Sequence, residues 1–271
     1  MNGSIANILT VAVFAALVSV IGATEDGKTD LIFHEVGAKG SNAGRPMNDP
    51  KTPFHIVLPD GTSVKTFEAP GCVRTARATP QGTALLCAAE GVVEVGRDGE
   101  PVWTMPYPAD WKKHAVLKTA ELLPNGHLFL ARMATQGKPQ VIFVEFDKEK
   151  GILRKTPPYP GAILSARPVG NERILIASFT GVTEIDWEGK TCSTLPLEPG
   201  YFCADAVRLA NGNTLVALKV SGGIVAKPSE KGKSAMVAEV DPQGKILWSV
   251  KPSCPLTLQP LPDGHVLIGS G

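Results

Sequence analysis

Short apolar runs recur along most of the chain, each preceded by a turn signal at a similar distance from the last. Thr79-Pro80-Gln81-Gly82 precedes Ala84-Leu85-Leu86, and Leu123-Pro124-Asn125-Gly126 precedes Leu128-Phe129-Leu130. The pattern returns at Val169-Gly170-Asn171-Glu172 before Ile174-Leu175-Ile176, and at Leu209-Ala210-Asn211-Gly212 before Leu215-Val216. Its last copy is Leu261-Pro262-Asp263-Gly264 before Val266-Leu267-Ile268. The units begin at residues 79, 123, 169, 209 and 261, so the steps are 44, 46, 40 and 52 residues. Self-similarity at a fixed period is the mark of a repeat architecture.

A second kind of hairpin lies between successive copies of the first. Val93-Glu94-Val95 turns at Gly99 and returns to Trp103, and Val237-Ala238-Glu239-Val240 turns at Gly244 into Ile246-Leu247-Trp248. Weaker copies are Phe143-Val144-Glu145-Phe146, turning near Gly151, and Thr183-Glu184-Ile185, turning at Gly189. Turns rich in Asn, Asp and Gly suit hairpins because these residues reach the positive φ that matches strand twist. Two hairpins per repeat make a four-stranded unit, so the fold class is all-β, a β-propeller of four-stranded blades. The stretch Trp111 to Leu123 also has helical composition, but register with the other copies makes Val116 to Leu123 an innermost strand.

The ends bear on the blade count. His55 to Val64 has the form of a second-type hairpin without a first, and Leu256 to Gly269 that of a first-type hairpin without a second. Joined, they form one composite blade and close the ring, giving five blades and removing two bare sheet edges. Six blades follow if Leu31-Ile32-Phe33-His34 belongs to another, degenerate blade. A truncated larger propeller is the third arrangement.

The apolar run Ile8 to Ala23, followed by Thr24-Glu25-Asp26, has the form of a signal-peptide core with a small residue at the cut. The first basic side chain is Lys28, so the charged leader is missing, and the 19 residues from Ile5 approach the ~20 that span a bilayer. The division expected is therefore a signal peptide or membrane anchor over residues 1–23, an extension over 24–54 and a propeller domain over 55–271. Export to the periplasm or the extracellular space follows, with anchoring by residues 5–23 as the alternative; a buried helix is the third reading of the run. Cys72, Cys87, Cys192, Cys203 and Cys254 include no CxxC pair and no His at ligand spacing, which disfavours zinc. Cys72 and Cys254 occupy matching positions in blades that closure makes neighbours, so a bridge between them is conceivable. With 27 basic and 26 acidic side chains the chain lacks the excess that electrostatic nucleic-acid binding requires.

At Leu123-Pro124-Asn125-Gly126-His127-Leu128-Phe129-Leu130-Ala131 and Ala238-Glu239-Val240-Asp241-Pro242-Gln243-Gly244-Lys245-Ile246-Leu247-Trp248 the sequence resembles the PQQ-like and arylsulfotransferase-like propeller repeat proteins. The likeness covers about residues 55 to 271 and lies in scaffold motifs. In that group, quinone-dependent dehydrogenases carry PQQ on a larger, eight-bladed ring with calcium. This chain is too short for eight blades and shows no calcium-ligand cluster. Arylsulfotransferases use a histidine nucleophile supported by arginines, and His114 matches no such motif. Other members are noncatalytic binding or assembly scaffolds, from which this sequence departs least.

Propeller ligands sit where innermost strands meet the central channel. Four residues before each first-type turn unit stand Thr75, Thr119, Ser165, Asp205 and Thr257, every one with a small oxygen-bearing side chain. With Arg77, Arg167 and Gln259 two positions on, they are the expected ligand-binding residues, a polar ring able to hydrogen-bond an anionic or hydroxylated ligand or ordered water. The alternative is that they satisfy the backbones of neighbouring blades. Asp205, the one carboxylate of the column, is the best candidate for a general base or cation ligand, and His114 for a nucleophile. Glu94, Glu145, Glu184 and Glu239 recur at one position and are expected to face solvent and pair across strands. The stretch from Gly222 to Ser234, with Lys227, Lys231 and Lys233, reads as an exposed loop.

The expectation for function is an exported, nonenzymatic propeller that offers its channel mouth or loop face to a protein, glycan or small ligand. An arylsulfotransferase-like or metal-dependent hydrolytic propeller is the alternative. The sequence specifies no catalytic set, no metal site and no cofactor. Nucleic acid is not an expected partner, and a membrane is one only through an uncleaved amino-terminal segment.

Overall fold

The computed structural model describes the backbone of residues 8–9, 16–23, 29–35, 51–57, 63–70 and 73–270, leaving out 80, 89–90, 97, 108–110, 112–114, 135–136, 221–232, 253 and 261–265; side chains are described from Thr75 onward, save Ala78, Leu267 and Ser270. The chain is an all-β propeller. Its strands are β1 (Ile8–Leu9), β2 (Ala16–Ala23), β3 (Thr29–Glu35), β4 (Lys51–Val57), β5 (Ser63–Pro70), β6 (Val73–Ala78), β7 (Ala84–Ala88), β8 (Gly91–Val95) and β9 (Pro101–Pro106). They continue with β10 (Ala115–Leu122), β11 (Leu128–Ala134), β12 (Gln140–Asp147), β13 (Gly151–Lys155), β14 (Tyr159–Pro160), β15 (Ile163–Val169), β16 (Arg173–Ser178), β17 (Gly181–Asp186) and β18 (Thr191–Pro196). The last are β19 (Tyr201–Arg208), β20 (Thr214–Val220), β21 (Met236–Val240), β22 (Ile246–Val250), β23 (Pro255–Pro260) and β24 (Val266–Ser270). Ala115–Leu122 is thus the innermost strand that repeat register required, and not a helix.

Four sheets have four strands each, β2–β5, β6–β9, β15–β18 and β19–β22; a fifth joins β10–β13 with short β14, and a three-stranded sheet has the order β1-β24-β23. Successive innermost strands touch in a cycle, β2 to β6, β6 to β10, β10 to β15, β15 to β19, β19 to β23 and β23 back to β2. The ring is therefore closed. Its closure differs from the composite blade expected from the sequence. The hairpin over residues 55–64 falls within β4 and β5 and pairs with β3, which contains Leu31–His34. The carboxy-terminal hairpin instead receives β1 in parallel, Ile8 opposite Val266. This is the six-sheet alternative, and its strands begin ahead of residue 55.

Burial follows position within a blade. Every residue of β7 and β8 is buried, whereas the outermost strand β18 is exposed at nearly all positions. Blades stack face to face, so both faces of the inner strands are covered and continuous apolar runs replace alternation. One core cluster joins β7 and β8 to β10 and β11 through Leu85, Val92, Leu117 and Leu130; the next joins that sheet to β15–β17 through Phe129, Phe143, Ile174 and Ile185. At full burial each such side chain contributes roughly 1.5–3 kcal/mol. The turns are set locally: Leu123 N donates to His127 O at 2.8 Å and Gly126, at φ 84°, donates to Leu123 O at 2.9 Å. Among the described residues, no helix is long and apolar enough to cross a membrane. Cys254 stands as a free thiol, and Cys72, its conceivable partner, lies outside the described residues.

Candidate functional site

Five of the six innermost strands, β6, β10, β15, β19 and β23, carry a one-residue register shift at the same place. The shifts fall between Val73 and Thr75, Leu117 and Thr119, Ile163 and Ser165, Cys203 and Asp205, and Pro255 and Thr257. A bulge re-aims the side chains beside it. In every case the residue after the shift is the member of the polar column identified from sequence.

The column converges on one carboxylate. Arg167 Nε and Nη2 donate to Asp205 Oδ1 and Oδ2 at 3.1 and 2.5 Å. Ser165 Oγ donates to Oδ1 at 2.6 Å and Thr257 Oγ1 to Oδ2 at 3.2 Å. The backbone N–H groups of Ala206 and Leu258 add bonds of 3.0 and 2.9 Å. Ser165 and Arg167 come from β15, Asp205 from β19 and Thr257 from β23, so one carboxylate ties three blades. Arg77 joins from β6, its Nε donating to Glu121 Oε1 at 2.6 Å and its Nη1 to Thr257 Oγ1 at 3.4 Å. Arg167 Nη1 lies 3.8 Å from the same Glu121 oxygen.

Burial alone would raise the Asp205 carboxyl, but the charge and hydrogen bonds of Arg167, with the charge of Arg77 and the Ser165 hydroxyl, pull it down to about 2. Burial would lower the Arg167 guanidinium, and the Asp205 and Glu121 carboxylates raise it instead. Two arginines and two carboxylates thus neutralise one another in the core of the ring. Burial, with the negative charge of Asp205, also pushes the Cys203 thiol up, away from nucleophilic character at neutral pH.

Not every column member joins. The Oγ1 atoms of Thr75 and Thr119 are buried with no hydrogen-bond partner, and Gln259 Nε2 donates to Pro260 O at 3.2 Å. Glu121 is the member that sequence reasoning missed. It stands two residues beyond Thr119, the offset that selects Arg77, Arg167 and Gln259, so the same rule finds it. His114 lies outside the described residues. Among the described residues, no three His, Cys, Asp or Glu gather as metal ligands.

The recurring glutamates do not face solvent. Glu94, Glu145 and Glu184 are buried, and all four accept hydrogen bonds at one end of the blades. Asn125 Nδ2 reaches Glu145 Oε1 at 2.9 Å, Asn213 Nδ2 reaches Glu239 Oε1 at 2.6 Å, and Thr83 Oγ1 donates to Glu94 Oε1 at 2.5 Å. Glu184 takes Arg173 Nη1 at 2.9 Å and, from the next blade, Arg208 Nη2 at 2.6 Å. Arg154 links Glu145 to the next blade, where it meets Asn171 O and Glu172 and lies 4.3 Å from the Trp187 ring centre. Both faces of a third strand are covered in a stack of blades, so a polar residue there needs internal partners.

The opposite end presents a different surface. Second-to-third strand turns and blade-to-blade connections emerge together there, because successive strands reverse direction. Phe179, 55% exposed, stands in the β16–β17 turn with its ring 5.4 Å from that of Phe202. Lys219 Nζ is 5.9 Å from the Phe202 ring centre, and Lys233 Nζ 4.9 Å from that of Tyr201.

No family model matches the chain. A comparison with curated proteins likewise finds no match. Solved structures are similar in fold. A gluconolactonase from Xanthomonas campestris is 11% identical, covering 95% of this chain and 84% of its own, with a TM-score of 0.58. The amino-terminal part of BBS1, solved in complex with ARL6, is 14% identical over 92% of this chain and 71% of its own, at 0.52. The Neurospora crassa Pan2 WD40 domain is 10% identical over 90% and 82%, at 0.50. These likenesses establish the propeller fold and leave activity to the site itself.

Proposed function

We propose that this protein is a nonenzymatic binding propeller whose working surface is the loop end and whose polar column is a fastening. The observation that carries this reading is the state of Asp205. Six donors converge on a carboxylate that has about four lone-pair sites to offer. A general base needs a free lone pair facing substrate, and a cation ligand needs one facing the ion. Asp205 has committed its own to three blades. The column residues Thr75, Arg77, Thr119, Ser165, Arg167, Asp205, Thr257 and Gln259 accordingly serve the ring first, and any ligand they hold is confined to the unpartnered hydroxyls of Thr75 and Thr119.

The loop end supports a partner-binding role, since an exposed phenylalanine backed by a second ring and flanked by lysines is a surface to be covered. The BBS1 propeller was solved with a protein bound. The turn–strand motifs support a PQQ-like repeat lineage for the blades. Export is the second part of the proposal and rests on the apolar run over residues 8–23. The same residues supply β1 and β2, so cleavage after Ala23 would remove an innermost strand. The intact mass of the mature protein separates the outcomes.

The test of function is a turnover assay with gluconolactone and with aryl sulfates, with and without added divalent metal. The expected result is no turnover above a heat-denatured control. Turnover abolished by Asp205→Asn in a variant that still folds would overturn the reading.

A further inference from the structure

The junction between the blades β15–β18 and β19–β22 combines features that the fastening of the ring does not use. Phe179 is held outward by a defined turn: Ser178 Oγ donates to Gly181 O at 3.1 Å, and Thr180 N donates to Ser178 Oγ at 3.2 Å. Its ring meets Phe202 at 41° across the blade boundary. Between the same two blades runs a groove of about 250 Å³, lined by Leu195, Leu197, Tyr201, Leu218 and Met236 together with Glu198. Two ammonium groups flank the junction, Lys219 over Phe202 and Lys233 over Tyr201. Tyr201 Oη donates to Ser234 O at 3.2 Å and Lys233 Nζ to Pro199 O, which fixes the Lys233 side against β19. Glu198, 4.0 Å from Lys233, is the one carboxylate paired there among the described residues. Lys219 and Lys233 against Glu198 leave the described residues of the junction with a positive balance of charge.

From this combination we propose that the junction docks an acidic protein segment that carries an aromatic or aliphatic anchor. The inference deepens the binding-propeller reading and rests on it. The anchor packs on Phe179 and Phe202, while neighbouring carboxylates meet Lys219 and Lys233. The Lys219 ammonium, 5.9 Å from the Phe202 ring centre, stands beside the anchor position, and Lys233, which donates to Pro199 O, keeps further N–H groups for a carboxylate. A turn already fixed by its own hydrogen bonds presents Phe179 with little ordering left to lose on binding.

The probe is a short fluorescein-labelled peptide of Glu and Asp with one central tryptophan, compared with a version bearing alanine at the centre and one with Lys in place of the acids. Fluorescence anisotropy is measured on the whole chain and on the variants Phe179→Ala, Lys219→Glu and Lys190→Glu, the last at the opposite end of the blades. The expected result is saturable binding of the acidic tryptophan peptide, weakened by salt and reduced about tenfold in Phe179→Ala and in Lys219→Glu. Lys190→Glu should bind as the unaltered protein does. Absence of binding to the intact protein, or equal binding by Phe179→Ala and Lys219→Glu, would overturn the docking surface. These outcomes are separable from failure of the broader reading. Lactone turnover with peptide binding still sensitive to the two variants sinks the nonenzymatic role alone. Insensitive peptide binding without turnover sinks the docking surface alone.

Discussion

Arg167 and Asp205 face each other across a blade boundary in a two-point contact, Nη2 to Oδ2 at 2.5 Å and Nε to Oδ1 at 3.1 Å, with both side chains buried. Bidentate geometry fixes orientation as well as distance, so the pair sets the angle between β15 and β19. Burial makes the pair costly to break and poor as a source of free charge.

Acid should reach this pair late. The Asp205 carboxyl falls from the ordinary 3.8 to about 2 on folding, so its contribution is fully present above about pH 4 and is lost as pH drops through 2. Glu145, Glu184 and Glu239 are also held below their ordinary value by the donors around them, despite opposing burial, and add to the same acid slope. Denaturant midpoints measured from pH 5 to pH 2 should fall throughout, and fall less steeply in Asp205→Asn.

Glu184→Gln tests the interblade clamp. The amide keeps the shape but loses the charge that meets Arg173 and Arg208, and stability should drop by about 1–3 kcal/mol in urea unfolding. Glu198→Gln, on an exposed carboxylate, should change stability by less than about 0.5 kcal/mol.

Thr119→Val and Ser165→Ala should move in different directions. Thr119 Oγ1 is buried without a partner, so a methyl of similar size should be neutral or stabilise by up to about 1 kcal/mol. Removing the Ser165 hydroxyl deletes a bond to a charged acceptor and should cost about 1.5–3 kcal/mol. Thermal unfolding of the two variants checks the pair. Marked destabilisation by Thr119→Val would mean that this hydroxyl has a hydrogen-bond partner in the folded protein.

Gly91 and Gly137 differ in what surrounds them. A Cβ at Gly91 would sit 2.1 Å from the Met105 carbonyl oxygen, so Gly91→Ala must part β8 from β9 and should cost more than about 2 kcal/mol. At Gly137 a Cβ meets nothing within 4 Å, and only the φ of +76° opposes it, at about 1–2 kcal/mol. Equilibrium unfolding of both alanine variants reads the difference.

The blades and the polar column were legible because hairpin turns and inner-strand registers repeat. Counting back from a turn to Thr75, Thr119, Ser165, Asp205 and Thr257 works even though a bulge intervenes, because these five inner strands carry the bulge at the same place. What they do together was not legible, since the ties run between strands that are about 40 to 180 residues apart in sequence. The glutamates were misread because alternation along a strand implies a wet face, and stacked blades leave wet only the outermost strand. The first blade was legible in part: Leu31–His34 pointed to a sixth blade, while the apolar run at β2 has the composition of an export signal, and an inner strand presents the same kind of residues.

The most direct test of the fastening is a double-mutant cycle on Arg167→Met and Asp205→Asn, read by urea unfolding at pH 7. Each single change should cost about 3–5 kcal/mol by stranding a buried charge, and the double variant should fall short of their sum by at least about 2 kcal/mol. Additive costs, agreeing within about 0.5 kcal/mol, would show that the two residues act independently and that the column does not bind the blades together.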